Sequence, residues 1–94
     1  MSAVMREGDL SVGHDGWPPR PSIQRSSNVF INGIPCVRVT DSYDIHCKIR
    51  ECHGGKASGG SSTVFVNGLA IHRTGDAIDC GDTAGTGSPN VFAG

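Results

Sequence analysis

Three histidines and one cysteine stand at positions from which they could share a metal ion. His14 lies five residues past Asp9, His46 five past Asp41, and Cys80 four past Asp76. His53 follows within the segment Asp44-Ile-His-Cys-Lys-Ile-Arg-Glu-Cys-His53. Three imidazoles and one thiolate make the tetrahedral nitrogen-and-sulfur set that Zn2+ favours. Four protein ligands leave no position open to water, so the expected centre is a single structural zinc rather than a catalytic one. Iron can occupy similar ligands. Other residues compete for these places. His72 falls on a strand, where a partly buried, hydrogen-bonded imidazole is the ordinary explanation. Cys47 and Cys52 can ligate zinc or close a small loop as a disulfide, the second being disfavoured in a reducing cytosol. Cys36 reads as a small buried hydrophobe on a return strand.

The elements that must bring these residues together are written as a repeat. Ser26-Ser-Asn-Val-Phe-Ile-Asn-Gly-Ile-Pro-Cys-Val-Arg-Val-Thr-Asp41 recurs 35 residues later as Ser61-Ser-Thr-Val-Phe-Val-Asn-Gly-Leu-Ala-Ile-His-Arg-Thr-Gly-Asp76. Repetition at a fixed period defines an architecture before any single motif is read. Each chain end carries half a copy: Ala3-Val-Met-Arg-Glu-Gly-Asp9 matches the second half, and Ser88-Pro-Asn-Val-Phe92 the first. Phe30 to Pro35 is five positions, Phe65 to Ala70 is five, and Phe92 through Gly94 and on from Met1 to Ala3 is again five. The two termini are therefore expected side by side, completing a third unit around a pseudo-threefold axis. The plainer alternative is two tandem hairpins with unrelated ends.

Asn32-Gly33 and Asn67-Gly68 each sit between apolar, β-branched runs. Asn-Gly accepts positive φ at both central positions of a type I′ turn, so each is expected to close a β-hairpin. Alternation sends Val29 and Ile31 to one face and Phe30 to the other; Val64, Val66 and Phe65 repeat this. Pro35 cannot donate to a ladder and belongs at an edge. The return strands end on Asp9, Asp41 and Asp76, whose default role is to cap a turn. Three long irregular segments follow, 10–27, 42–61 and 77–88, expected to meet at one end. No stretch shows sustained helical periodicity. The fold class is all-β.

Composition narrows the function classes. Only 36% of the residues are hydrophobic and 14 are Gly, too thin a core for this size without a disulfide, a metal or a docked partner. No run of about 18 apolar residues exists to span a membrane, and no basic-then-apolar start suggests a secretion signal. The net charge of −1 and scattered Lys and Arg provide no patch for nucleic acid.

In the order of its elements the chain resembles the PAAR-repeat family. The tetrapeptide that names the family reads here as Pro35-Cys-Val-Arg38, Ala70-Ile-His-Arg73 and Ala3-Val-Met-Arg6. Before it stands Val-Phe-(Ile/Val)-Asn-Gly, and Gly-Asp follows it, except that Thr40 replaces the Gly found at Gly8 and Gly75. The segment His14-Asp-Gly-Trp-Pro-Pro-Arg20, with Cys52-His-Gly-Gly55, looks most like the short phage-baseplate branch.

The resemblance implies a small conical fold of three β-hairpin units with a zinc-stabilised apex, the zinc held by His14, His46, His53 and Cys80. The expected domain covers residues 1–94, with units at about 26–41, 61–76 and 88–94 plus 3–9, and no appended effector domain. The implied role is a non-enzymatic tip that caps the trimeric β-helical spike of a phage tail or type VI secretion machine. One monomer would serve each trimer and touch the target cell envelope transiently. Neither nucleic acid nor a small-molecule substrate is expected as a partner, and assembly would take place in the bacterial cytoplasm. Ile34, Leu69 and Phe92 are the candidates for an exposed apolar docking base.

Three other functions fit parts of the pattern. Cys-His catalysis or an open zinc site would use the same residue types, but no substrate cleft is evident in so small a Gly-rich domain. A zinc nucleic-acid module would need a recognition helix or a basic stacking surface. A zinc-stabilised adaptor for a different partner shares every expected structural feature, and only the identity of the partner separates it.

Overall fold

The computed structural model describes the whole chain, Met1–Gly94. It contains strands and no helix: β1 (Ser2–Ala3), β2 (Phe30–Ile31), β3 (Ile34–Pro35), β4 (Ser42–Lys48), β5 (Glu51–Lys56), β6 (Phe65–Val66), β7 (Leu69–Ala70) and β8 (Phe92–Ala93). They pair as four antiparallel two-stranded sheets, β1–β8, β2–β3, β4–β5 and β6–β7. The molecule measures 38 × 24 × 22 Å along its principal axes.

Turn chemistry builds the hairpins as the dipeptides require. Asn32 and Gly33 have φ of 55° and 77°, and Asn67 and Gly68 have 54° and 79°, the doubly left-handed geometry of a type I′ turn. Phe30 opposes Pro35 and Phe65 opposes Ala70. The termini supply the third pair, with Phe92 opposite Ala3. Pro35 is accommodated opposite Phe30, and its carbonyl accepts from the Glu7 N–H.

A closed ring of backbone hydrogen bonds joins the three return strands. Met5 N–H donates to the His72 carbonyl (3.0 Å), His72 N–H to the Val37 carbonyl (3.0 Å), and Val37 N–H to the Met5 carbonyl (3.1 Å). These are the third positions of the three PAAR-like tetrapeptides, and all three residues are fully buried. Isolated bridges Arg6↔Cys36, Arg38↔Ile71 and Val4↔Arg73 complete the circuit. Satisfying buried N–H and C=O groups across units, rather than within long ladders, is how such short strands avoid orphaned polar groups.

The strand exits repeat as well. Arg6, Arg38 and Arg73 each donate backbone N–H and guanidinium Nε to the Asp three residues on, Asp9, Asp41 and Asp76, at 2.8–3.0 Å. The turns need positive φ at Gly8 (90°), Thr40 (83°) and Gly75 (85°), so the Thr40 exchange leaves the exit geometry unchanged. Ser26, Ser61 and Ser88 are buried and cap the turns that lead into the hairpins, accepting from N–H groups two and three residues ahead.

The core has two layers. Val4, Cys36, Val66, Ile71 and Ala93 fill the hairpin layer. Met5, Val37, Tyr43, Ala57, Ile78 and Ala84 form the next, with Cys80 packed against it. Cys36 is the buried hydrophobe expected of it.

The middle connecting segment departs from the expected irregular loop. Residues Ser42–Lys48 and Glu51–Lys56 form the longest hairpin in the molecule, with a bulge between Tyr43 and His46. Its turn, Ile49-Arg50, carries no Asn or Gly, and Arg50 takes φ of 67° without either. The sequence therefore lacks the usual turn signal, and the missing constraint is covalent: Cys47 and Cys52 face each other across the strands and form a disulfide. The pair is a disulfide, against the expectation that a reducing cytosol disfavours it.

Candidate metal centre

Three unlike turns deliver the four candidate ligands. His14 begins a tight turn in which Asp15 (φ 45°) and Gly16 (φ 87°) occupy the centre and His14 bridges back to Trp17. Asp-Gly is the same turn signal as Asn-Gly, one that the reading of the sequence did not use. His46 and His53 oppose each other on β4 and β5, next to Cys47 and Cys52. Alternation turns the imidazoles to one face and the disulfide to the exposed other face. Cys80 sits in the turn between Ile78 and Asp82, where Ile78 N–H donates to the Asp82 carbonyl at 2.9 Å.

The ligand atoms converge. The Nε2 atoms of His14 and His46 are 3.3 Å apart, those of His14 and His53 3.1 Å, and those of His46 and His53 2.7 Å. Cys80 Sγ lies 3.8 Å from His14 Nε2, and all four ligand atoms fall within 4.8 Å of one another. Zinc bond lengths of about 2.0–2.1 Å to nitrogen and about 2.3 Å to sulfur put tetrahedral edges near ~3.3 Å between nitrogens and ~3.6 Å between sulfur and nitrogen. The spacing is thus close enough to bind one metal ion.

Supporting contacts favour the same ligand atoms. His46 Nδ1–H donates to the Pro18 carbonyl at 2.8 Å, which leaves the Nε2 lone pair free to ligate. His14 Nδ1 lies 3.4 Å from an Asp15 carboxylate oxygen. Partial burial, then the neighbouring His46 and His14, lower the His53 pKa from its ordinary value and favour the neutral form a metal needs. Trp17 stacks on His14 with ring centroids 5.1 Å apart and lies 4.4 Å from His53, while Lys48 Nζ sits 3.7 Å above the indole.

Asp82 ties two of the ligand turns together. One carboxylate oxygen accepts from the backbone N–H of Gly13, beside His14, at 2.8 Å, and from Thr83 N–H at 2.7 Å. Burial opposes its ionisation, but the nearby Ser11 hydroxyl, the Thr83 and Gly13 N–H groups and the charge of Arg20 outweigh it, so its pKa is lowered. Gly55 is required for space: a Cβ there would lie 2.7 Å from Arg20 Nη2, 2.9 Å from Ile78 Cγ2 and 3.1 Å from Cys80 Sγ.

His72 takes no part in the cluster. It is fully buried, donates from Nδ1 to the Gly59 carbonyl at 2.6 Å and accepts from the Tyr43 hydroxyl at 2.8 Å. Sequence reasoning did not reach Arg20, Asp82 or the covering role of Trp17. Arg20 reaches Cys80 and His53, and Asp82 reaches Gly13, all distant in sequence; for Trp17 the Asp-Gly at 15–16, which turns it back onto His14, is the local signal that could have found it.

The candidate docking side chains come out differently from the expectation. Phe92 is exposed, but Ile34 and Leu69 are half-buried. The matching exposed residues are Phe30 at 55% and Phe65 at 59%, beside Phe92 at 50%. Which hairpin face points outward depends on the ring beneath it, and alternation alone does not say. No pocket opens on the surface.

Among known protein families the chain matches the PAAR motif over residues 12–86. No curated protein matches it significantly.

Proposed function

The chain belongs to the PAAR-motif family, and from that premise we propose that it caps and sharpens the trimeric β-helical spike of a contractile injection machine. Membership supports the coarser role, a spike-tip component of contractile injection or type VI secretion-like systems. The finer reading is one monomer per trimer, a non-enzymatic role, and a rigid apex that meets the target envelope. The machine is assembled in the bacterial cytoplasm and carries the tip in the virion tail or secretion apparatus.

One observation carries this reading. Phe30, Phe65 and Phe92 occupy the same register position in three units of one chain and are exposed to nearly the same extent. A single copy can therefore offer a true threefold partner three equivalent aromatic contacts, and exposed large apolar groups of this kind mark docking surfaces.

The proposed ligands of one structural metal are His14, His46, His53 and Cys80. Three imidazole nitrogens with one thiolate sulfur favour Zn2+, and iron is the alternative. When bound, the ion supplies a cross-link among three turns. The chain's own residues then do the rest: Pro18 orients His46, Asp82 joins the His14 and Cys80 turns, and Trp17 covers the imidazoles.

The test mixes the protein with a trimeric β-helix tip and measures mass by light scattering. One monomer per trimer is expected, with binding lost in the triple variant Phe30→Ser, Phe65→Ser, Phe92→Ser. Three monomers per trimer, or unaltered binding by the triple variant, would refute the threefold docking.

A further inference from the structure

Arg20 is the buried charge that neither the hairpin ring nor the four ligands explains. It is 2% exposed, and no carboxylate lies within ion-pair distance of it. Nη2 donates to Cys80 Sγ at 3.0 Å and Nη1 approaches the His53 carbonyl at 3.4 Å, while Nε has no partner. The guanidinium carbon also stands 5.4 Å from the Tyr43 ring centroid. A buried guanidinium with so few acceptors is costly unless an anion answers it.

We infer that Arg20 is a positioning residue of the metal centre, holding Cys80 sulfur and the His53 strand in ligating geometry by one fork of N–H donors. The inference rests on reading His14, His46, His53 and Cys80 as one metal site. A cysteine that ligates a metal does so as thiolate, and that thiolate is the anion within hydrogen-bond distance of Arg20, the buried Asp82 carboxylate lying beyond ion-pair contact. The N–H···S bond draws electron density from the sulfur and fixes its direction. The second contact reaches the backbone of another ligand, so a single planar side chain spans two of the three ligand turns. A Lys point charge does not match this fork. Gly55 keeps the gap open, because any Cβ there would strike both Arg20 and Cys80. Removing such outer partners typically lowers metal affinity by about 10- to 100-fold.

The experiment loads full-length protein with Co2+ and reads both affinity, by chelator competition, and the sulfur-to-cobalt charge-transfer band. Arg20→Met is expected to weaken Co2+ binding about 10- to 100-fold and to move the band to lower energy, because the sulfur loses its donor. Arg20→Gln, which stays polar, decides the matter if Arg20→Met does not fold, with the same direction expected for both readouts. In a Cys80→Ala background Arg20→Met should cost little further affinity. A folded Arg20 variant with wild-type affinity and an unmoved band overturns the inference. So does an equal loss in the wild-type and Cys80→Ala backgrounds, which would mark a general structural role. If wild-type protein binds no Co2+ at all, the site reading fails first and takes the inference with it.

Discussion

The hairpin half and the ligand half of this molecule solve the same stability problem by opposite means. In the hairpin half three sets of contacts each occur three times: the Met5–His72–Val37 ring, the Arg-to-Asp exits and the Ser caps. In the ligand half nothing repeats. One turn gives His14, one hairpin gives both His46 and His53, and another turn gives Cys80. Three equivalent loops would offer three donors, and the middle loop departs from the symmetry to supply two of the four that converge. Backbone hydrogen bonds can be written as a repeat; a mixed-ligand metal shell cannot.

The largest expected effect breaks the ligand half alone. His14→Ala, His46→Ala, His53→Ala and Cys80→Ala should each lose tightly bound metal in elemental analysis, whereas His72→Ala should keep it. Structural zinc can contribute on the order of 10 kcal/mol to small domains, so chelation should lower the unfolding midpoint more than any single substitution in the hairpin half. Hydrogen exchange localises the damage: amides of residues 42–56 should lose protection while those of Met5, Val37 and His72 retain theirs. Full metal retention by His53→Ala would remove it from the proposed set.

The Cys47–Cys52 disulfide is the next test, because it locks the hairpin that carries two ligands. Closing a loop with a sequence separation of 5 is worth about 2 kcal/mol in the chain-entropy account. The double variant Cys47→Ser, Cys52→Ser should therefore unfold about 8–16 °C lower and bind metal several-fold less tightly. An unchanged melting temperature would mean that the metal alone fixes β4 on β5.

His72 offers a smaller effect confined to the hairpin half. Its pKa is lowered chiefly by desolvation, only partly offset by its hydrogen bond to Gly59. As pH falls through the ordinary histidine value of 6.5, the unfolded chain takes up a proton that the folded one refuses. Stability from this group is thus complete above that pH and declines below it, by at most about 1.4 kcal/mol per pH unit. His72→Gln should flatten the slope relative to wild type in denaturant titrations at about pH 5–7. Equal slopes would show that His72 is protonated without cost.

The two halves were also unequally legible in the sequence. Asn32-Gly33 and Asn67-Gly68 announce their turns locally, and the count from Phe92 to Ala3 gave the register of the terminal pair. The converging side chains His14, His46 and Cys80 stand at matching offsets from Asp9, Asp41 and Asp76, and His53 was read as an addition from the middle loop. The β4–β5 hairpin was not, since its turn has no signal residue and its register is set by a cross-link and a bulge. Arg20 and Asp82 were invisible for a related reason: the contacts that tie them to the site run to partners far away in sequence, Arg20 to Cys80 and His53, Asp82 to Gly13. Repetition encodes the symmetric part twice over, whereas the asymmetric part exists only once the loops have met.

The smallest effect sharpens the symmetry itself. Thr40 holds φ of 83° where the equivalent residues are Gly8 at 90° and Gly75 at 85°. A β-branched residue in this region is strained by roughly 1–2 kcal/mol, and Thr40 is exposed with no side-chain hydrogen bond to compensate. Its N–H still donates to the Ala57 carbonyl at 2.8 Å, the bond that Gly75 makes to Ala84 at 2.8 Å and Gly8 to Ser22 at 3.1 Å. That network holds the turn in place against the strain. Thr40→Gly should therefore stabilise the protein, by about 0.5–1 kcal/mol after the greater unfolded-state freedom of glycine is subtracted. The reverse exchanges, Gly8→Thr and Gly75→Thr, meet no atom within 4 Å of a new Cβ and should cost a similar amount each. If the three sites respond unequally, the strand exits are not equivalent, and the threefold repeat is closer in sequence than in energy.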